Sequence, residues 1–184
     1  MENDTMKIVH AYTNKQFDDI RRLYMQAFPA AERKSFSMLR KLEKDKKCEI
    51  LSIQGENEEF MGLVITVTFN DLILLDYFAV SPEKRGHGVG SEALAILKER
   101  YCDKRFFLEI ETTLEPSGNA EERQNRKAFY LRNGMKLMPF MTDVFGVHME
   151  ILTNGCDSDY HDSFSVYENV LPPDLLARIH PVCE

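Results

Sequence analysis

The feature that most constrains this chain is the run from residue 73 to residue 100. It reads Ile73-Leu-Leu-Asp-Tyr-Phe-Ala-Val80, then Ser81-Pro-Glu-Lys84, then Arg85-Gly-His-Gly-Val-Gly90, then Ser91-Glu-Ala-Leu-Ala-Ile-Leu-Lys-Glu-Arg100. The first eight residues are mostly aliphatic or aromatic and read as a buried strand, which must end at Ser81-Pro82 because proline offers no N–H to a ladder. From Val89 the apolar positions Val89, Ala93, Leu94 and Leu97 recur at helical spacing. Between strand and helix, Gly86, Gly88 and Gly90 remove three Cβ atoms, so backbone N–H groups can turn toward one point where a helix begins. The product is a cradle for an anion.

Segments with simpler patterns flank this run. Residues 6–13 read as a first strand. Asn14 caps a helix with Phe17, Ile20, Leu23, Tyr24 and Phe28 on one face and Pro29 at its end. A polar break at 29–36 precedes a second helix at 37–47, with Phe36, Leu39 and Leu42 inward. Residues 48–54 and 60–69 are strands joined by the charged turn 55–59, and so form an antiparallel hairpin. After the central helix, the strand 106–111 alternates Phe107, Glu109 and Glu111 with Phe106, Leu108 and Ile110. The loop 112–119 is long enough for a lid or a substrate loop. A helix follows at 120–133, with acidic residues in its first turn and Gly134 as its stop, and then a closing hairpin of 135–144 and 147–152 about Gly146. The tail 153–184 is polar and Asp-rich, with one short helix at 173–179 whose Leu175, Leu176 and Ile179 dock on the domain.

Length and composition narrow the function. At 184 residues, 43% hydrophobic and 29% charged, the chain suits one globular domain with a sizeable core. No apolar run reaches membrane-spanning length and Met-Glu-Asn-Asp is no signal region, so the expectation is a cytoplasmic protein without a membrane partner. Cys48, Cys102, Cys156 and Cys183 are widely spaced, as are the five histidines, which favours reduced thiols and no metal. A net charge of -7 argues against a nucleic-acid partner. It leans weakly toward a cationic substrate, and Glu32 in the polar break reads equally as a substrate contact or a solvated carboxylate.

Arg-x-x-Gly-x-Gly placed directly after a strand ending Ala-Val-Ser-Pro resembles the acetyl-CoA-binding signature of the GCN5-related N-acetyltransferase (GNAT) family. It lacks the Gly-Lys-Ser/Thr ending of a Walker loop, and the dinucleotide fingerprint lacks the leading Arg. A second stretch, Ala128-Phe-Tyr-Leu-Arg-Asn-Gly134, resembles the family's motif with a Tyr four residues before a Gly. The resemblance spans about residues 6 to 152.

The resemblance implies the α/β GNAT fold: a central mixed, mostly antiparallel twisted sheet of six to seven strands flanked by helices and splayed between the fourth and fifth. Residues 1–152 would form the acetyltransferase domain, and 153–184 an extension packed on it. The strand at Phe78, Ala79 and Val80 would pair with the pantetheine arm of acetyl-CoA. The amides of Arg85, Gly86, His87, Gly88, Val89, Gly90 and Ser91 would hold its pyrophosphate. His87 itself reads as a solvent-facing loop residue.

Tyr130 corresponds to the family's general acid. The usual Asn and Ala seven and four residues earlier are Arg123 and Arg126 here. With Lys127 these give either a cationic contact to CoA, to which Arg126 is assigned, or a solvated basic face. Glu111, Glu109 and Asp76 are carboxylates inside apolar strands, where an unpaired charge is costly, so each implies a partner or a role. Glu111 is the first choice for general base. The implied activity is acyl transfer from acetyl-CoA to an amine acceptor in a ternary complex, with a non-catalytic acetyl-CoA-binding module as the alternative. Homodimers are compatible with the family.

Overall fold

The structure, a computed structural model, describes residues 6–30 and 32–182. It divides into two compact units. One contains residues 6–30, 32–67 and 76–100; the other contains 68–75 and 101–182.

The first unit begins with strand Lys7–His10 (β1) and helix Asn14–Ala27 (α1). The cap of α1 is Thr13, one residue before the Asn expected from the sequence. Its hydroxyl accepts the N–H of Gln16, whose side-chain oxygen accepts the Thr13 N–H in return. The helix buries Gln16, Ile20, Leu23 and Tyr24. Helix Phe36–Lys44 (α2) is capped by Ser35 and ends before the predicted 47, because Lys46 takes a positive φ. Strands Cys48–Gln54 (β2) and Phe60–Phe69 (β3) form the predicted antiparallel hairpin, and β1 pairs with β2 antiparallel. Strand Leu72–Val80 (β4) neighbours β3. Helix Val89–Arg100 (α3) buries the four apolar residues that its spacing picks out.

The second unit takes the start of β4 as its edge. Leu72–Leu75 pair in parallel with strand Arg105–Glu111 (β5), from Leu72↔Arg105 to Leu75↔Leu108. The pairing ends there, although β4 continues to Val80 and β5 to Glu111. Helix Ala120–Arg132 (α4) leads to the hairpin of strands Lys136–Val144 (β6) and Val147–Thr153 (β7), with β7 antiparallel to both β5 and β6.

The tail departs from expectation in two places. Helix Tyr160–Glu168 (α5), capped reciprocally by Asp159 and Asp162, was hidden by its polar composition. It is fixed by Arg105 to Asp162 at 2.7 Å and by Asn169 to the Thr68 carbonyl at 3.1 Å. Helix Pro173–Leu176 (α6) is shorter than expected, and Ile179 instead opens strand Ile179–Pro181 (β8), antiparallel to β6. A short apolar run does not distinguish helix from strand. Among the described residues the sheet order is therefore β1-β2-β3-β4-β5-β7-β6-β8, eight strands rather than six to seven.

Candidate active site

In the first unit, β4 alternates buried Tyr77 and Ala79 with half-buried Phe78 and Val80. Close approach by β3 requires Gly62: a Cβ there would lie 2.5 Å from the Ala79 carbonyl oxygen and 3.2 Å from Val80 Cα. The strand stops where the Ser81 N–H donates to the Met61 carbonyl, and Pro82–Lys84 then make one 3₁₀ turn. Gly86 and Gly88 adopt φ of 80° and 83°, and a Cβ on either would meet nothing within 4 Å. Backbone conformation, not crowding, therefore calls for glycine there.

The Gly88 carbonyl accepts the Glu92 N–H at 3.0 Å. The N–H groups of Val89, Gly90 and Ser91 thus fall in the first turn of α3, where a helix has no internal acceptors and its dipole favours an anion. Arg85 is exposed, and its Nε donates to the Val80 carbonyl at 3.1 Å, so the side chain lies back along the strand it follows. His87 is exposed. A cavity of about 580 Å³ on the same unit is lined by Glu56, Glu59, Glu83 and Glu92 together with Lys84 and His87, and Lys84 pairs with Glu59 at 2.7 Å.

The loop before α2 is tied to β4 by contacts that no local sequence signal announces. The Tyr77 hydroxyl donates to the Glu32 carbonyl at 2.8 Å and accepts the Lys34 N–H at 3.1 Å. Tyr24 donates to the Lys34 carbonyl at 3.0 Å, and its ring meets that of Tyr77 edge-on at 4.8 Å. Burial, and then the charge of Asp76, raise the Tyr77 phenol well above its ordinary range, so it stays a donor. Glu32 itself is exposed.

In the second unit, Glu111 at the end of β5 receives Arg123 Nη2 at 2.6 Å and Asn119 Nδ2 at 3.4 Å, with Arg126 at 3.6 Å. Arg126 is exposed and joins this cluster. Glu109 accepts the Tyr167 hydroxyl from α5. In the first unit, Asp76 binds Lys34 at 2.7 Å and 3.0 Å. Each of the three in-strand carboxylates therefore has a partner. A further carboxylate, the buried Glu150 on β7, takes Lys127 at 2.7 Å and the N–H and hydroxyl of Thr113 at 3.2 Å and 3.1 Å. Tyr130 is buried, and that burial pushes its phenol up to about 12, against a smaller lowering by Arg126. At neutral pH it is a neutral proton donor. Among the described residues no three His, Cys, Asp or Glu side chains converge as metal ligands do, and no helix is long and apolar enough to cross a membrane.

A largely antiparallel sheet with a parallel β4–β5 pair, a glycine turn opening the helix after β4 and a tyrosine-bearing helix after β5 is the arrangement of the acetyltransferase class of α/β proteins. The chain belongs to the acetyltransferase (GNAT) family, whose family model matches residues 17–135. It is 30% identical over 109 residues to YjbC of Bacillus subtilis (strain 168), a protein described as an acetyltransferase; the match covers 59% of this chain and 52% of that protein, about half its length.

Solved structures share the fold. A GNAT-family protein of Bacteroides thetaiotaomicron superposes with a TM-score of 0.73 at 19% identity, covering 89% of this chain and 94% of that one. The spermidine N-acetyltransferase of Vibrio cholerae, in complex with CoA and spermine, superposes with a TM-score of 0.59 at 10% identity, covering 80% and 94%.

Proposed function

We propose that this chain is an acyl-CoA-dependent N-acyltransferase that moves an acetyl group from acetyl-CoA to a primary amine of a small molecule or peptide, directly and within a ternary complex. The observation that carries the reading is the positive-φ pair Gly86 and Gly88 opening the amides of Val89, Gly90 and Ser91, on a chain that also holds a protonated, buried tyrosine on α4.

In this reading the amides from Arg85 to Ser91 hold the pyrophosphate and the exposed Arg85 guanidinium adds charge. Backbone groups at Phe78, Ala79 and Val80 order the pantetheine arm, and Arg126 supplies a further cation. The acceptor ammonium first loses a proton to water. The amine nitrogen then forms the new bond to the thioester carbon and sheds its second proton to solvent, the C–S bond breaks with its electron pair going to sulfur, and Tyr130 gives the thiolate its proton and recovers one from solvent. Glu111, expected to be the base, has Arg123, Asn119 and Arg126 around its carboxylate, and is assigned to hold α4. Residues 1–152 would carry this chemistry, with 153–184 as an extension of the same domain. A cationic acceptor is favoured by the net charge of -7, and the spermine in the Vibrio cholerae structure is an amine of that kind.

A second reading, acetyl-CoA binding without turnover, draws on the fact that every in-strand carboxylate is already partnered. Calorimetric titration with acetyl-CoA, with acetyl phosphate and ATP as controls, tests the donor site, and CoA thiol release on adding amines, spermine among them, separates the readings. Micromolar binding of acetyl-CoA alone with amine-dependent thiol release is expected. Binding without release leaves the second reading, and no binding by folded protein removes both.

A further inference from the structure

Helix α4 is unlike the other long helices of this chain. Of its thirteen residues only Tyr130 is buried, whereas α1 and α3 each bury four. A helix held by one buried side chain has little apolar packing to fix its rotation or height. Polar contacts fix it instead. Arg123, Lys127 and Tyr130 are spaced four and three residues apart, on one face. Arg123 reaches Glu111 on β5 at 2.6 Å and the Thr112 carbonyl at 3.2 Å. Lys127 reaches Glu150 on β7 at 2.7 Å and the Thr113 hydroxyl at 3.1 Å, and Thr113 itself donates to Glu150. All four charged side chains are largely withdrawn from solvent, with exposures of 5% to 19%. At that depth the pairs are weakly screened, and a lone charge left by removing one partner is costly.

We infer that Lys127 and Glu150, with Arg123 and Glu111, are positioning residues that set Tyr130 for proton transfer. The inference rests on Tyr130 as the general acid. Two ion pairs one helical turn apart fix α4 at two points, one against β5 and one against β7, and the next turn of the same face carries the phenol. The pairs thus do for α4 what the buried face of Ile20, Leu23 and Tyr24 does for α1. The sequence shows a basic helix face; the structure shows that face turned inward onto carboxylates.

The test uses the whole chain. Amide hydrogen exchange is compared for wild type, Lys127→Met, which keeps the length of the side chain and removes its charge, and Lys127→Arg, which keeps the charge. Exchange across 120–132 should quicken about ten-fold or more in Lys127→Met, with 89–100 unchanged, and return toward wild type in Lys127→Arg. Unchanged exchange across 120–132 in Lys127→Met overturns the inference. In thiol-release assays with spermine as the probe amine, Lys127→Met should lower kcat about ten-fold at unchanged acetyl-CoA affinity, and should add nothing in a Tyr130→Phe background. A full additive loss in that background shows that Lys127 does not act through Tyr130. A Tyr130→Phe enzyme with wild-type kcat removes the acid reading itself, whatever the exchange data show about α4.

Discussion

The ammonium of Lys34 sits 2.7 Å and 3.0 Å from the two carboxylate oxygens of Asp76, and the side chains are only 15% and 10% exposed. This pair joins the loop before α2 to the second half of β4, next to the two tyrosines that grip the same loop. Asp76→Ala would leave the Lys34 charge nearly buried and alone, which costs about 3 to 5 kcal/mol. Urea unfolding monitored by circular dichroism should show a loss of that order. The double variant Lys34→Met with Asp76→Leu should recover most of it, because an apolar pair of similar size leaves no stranded charge. Equal losses in single and double variants would mean that shape, not charge, matters there.

Tyr130 yields a prediction about pH. Its phenol is pushed up to about 12 by burial, against about 10 in the unfolded chain, so it remains protonated throughout the physiological range. As a general acid it causes no fall in rate below about pH 10, and the rate should rise from acid pH as the acceptor amine deprotonates, then level off. For stability the sign follows from the raised value: the contribution is full below the unfolded pKa and is lost as pH rises from about 10 to about 12. Tyr130→Phe should lower turnover by roughly one to three orders of magnitude with little change in acetyl-CoA affinity. A pH–rate profile turning down near pH 8, with the downturn lost in Tyr130→Phe, would assign the phenol a different state from the one described.

The glycine turn, the buried face of α3 and the β2–β3 hairpin are legible in the sequence because each is written in adjacent residues: three glycines, a helical period, a charged turn between two apolar runs. The charges inside apolar strands were also legible as signals. Asp76, Glu109 and Glu111 each required a partner, and each has one in Lys34, Tyr167 and Arg123. The identity of those partners was not legible, because Lys34 is 42 residues from Asp76 and Tyr167 is 58 from Glu109. Helix α5 is not legible because its buried residues are only Ser163, Val166 and Tyr167, although Asp159 and Asp162 write its cap. Gly62 stood in an apolar strand as an ordinary glycine until β4 was placed beside it.

Two glycines should respond to substitution for different reasons. At Gly88 an added methyl meets nothing within 4 Å but must take φ of 83°, a strain of about 1 to 2 kcal/mol. Gly88→Ala should therefore fold with modestly lower stability, and Gly88→Glu should weaken acetyl-CoA binding at least about ten-fold by setting a like charge against the phosphates. At Gly62 a methyl would come within 2.5 Å of the Ala79 carbonyl, so Gly62→Ala must push β3 and β4 apart. Its loss in stability should exceed that of Gly88→Ala, and thermal melting of the two variants side by side decides the point. Tight acetyl-CoA binding by a folded Gly88→Glu protein would move the phosphate site away from this loop.

The thiols should separate cleanly by reactivity. Cys48 lies within β2, buried, and burial together with the charges of Asp76 and Glu43 pushes its thiol up to about 12. Cys102 is exposed, and Cys156 is half-buried with its thiol raised by burial. Since the thiolate is the reacting species, Cys48 in the native protein is inert both for lack of thiolate and for lack of access. With a disulfide reagent at pH 8, peptide mapping should find Cys102 labelled rapidly, Cys156 more slowly, and Cys48 only through the opening of β2. Where β2 recloses faster than the reagent reacts, this labelling follows the opening equilibrium, so Asp76→Ala should speed it by roughly the factor by which it raises the unfolding equilibrium constant. Labelling of Cys48 as fast as Cys102 in the wild-type protein would contradict the burial of β2 and the sheet order built on it.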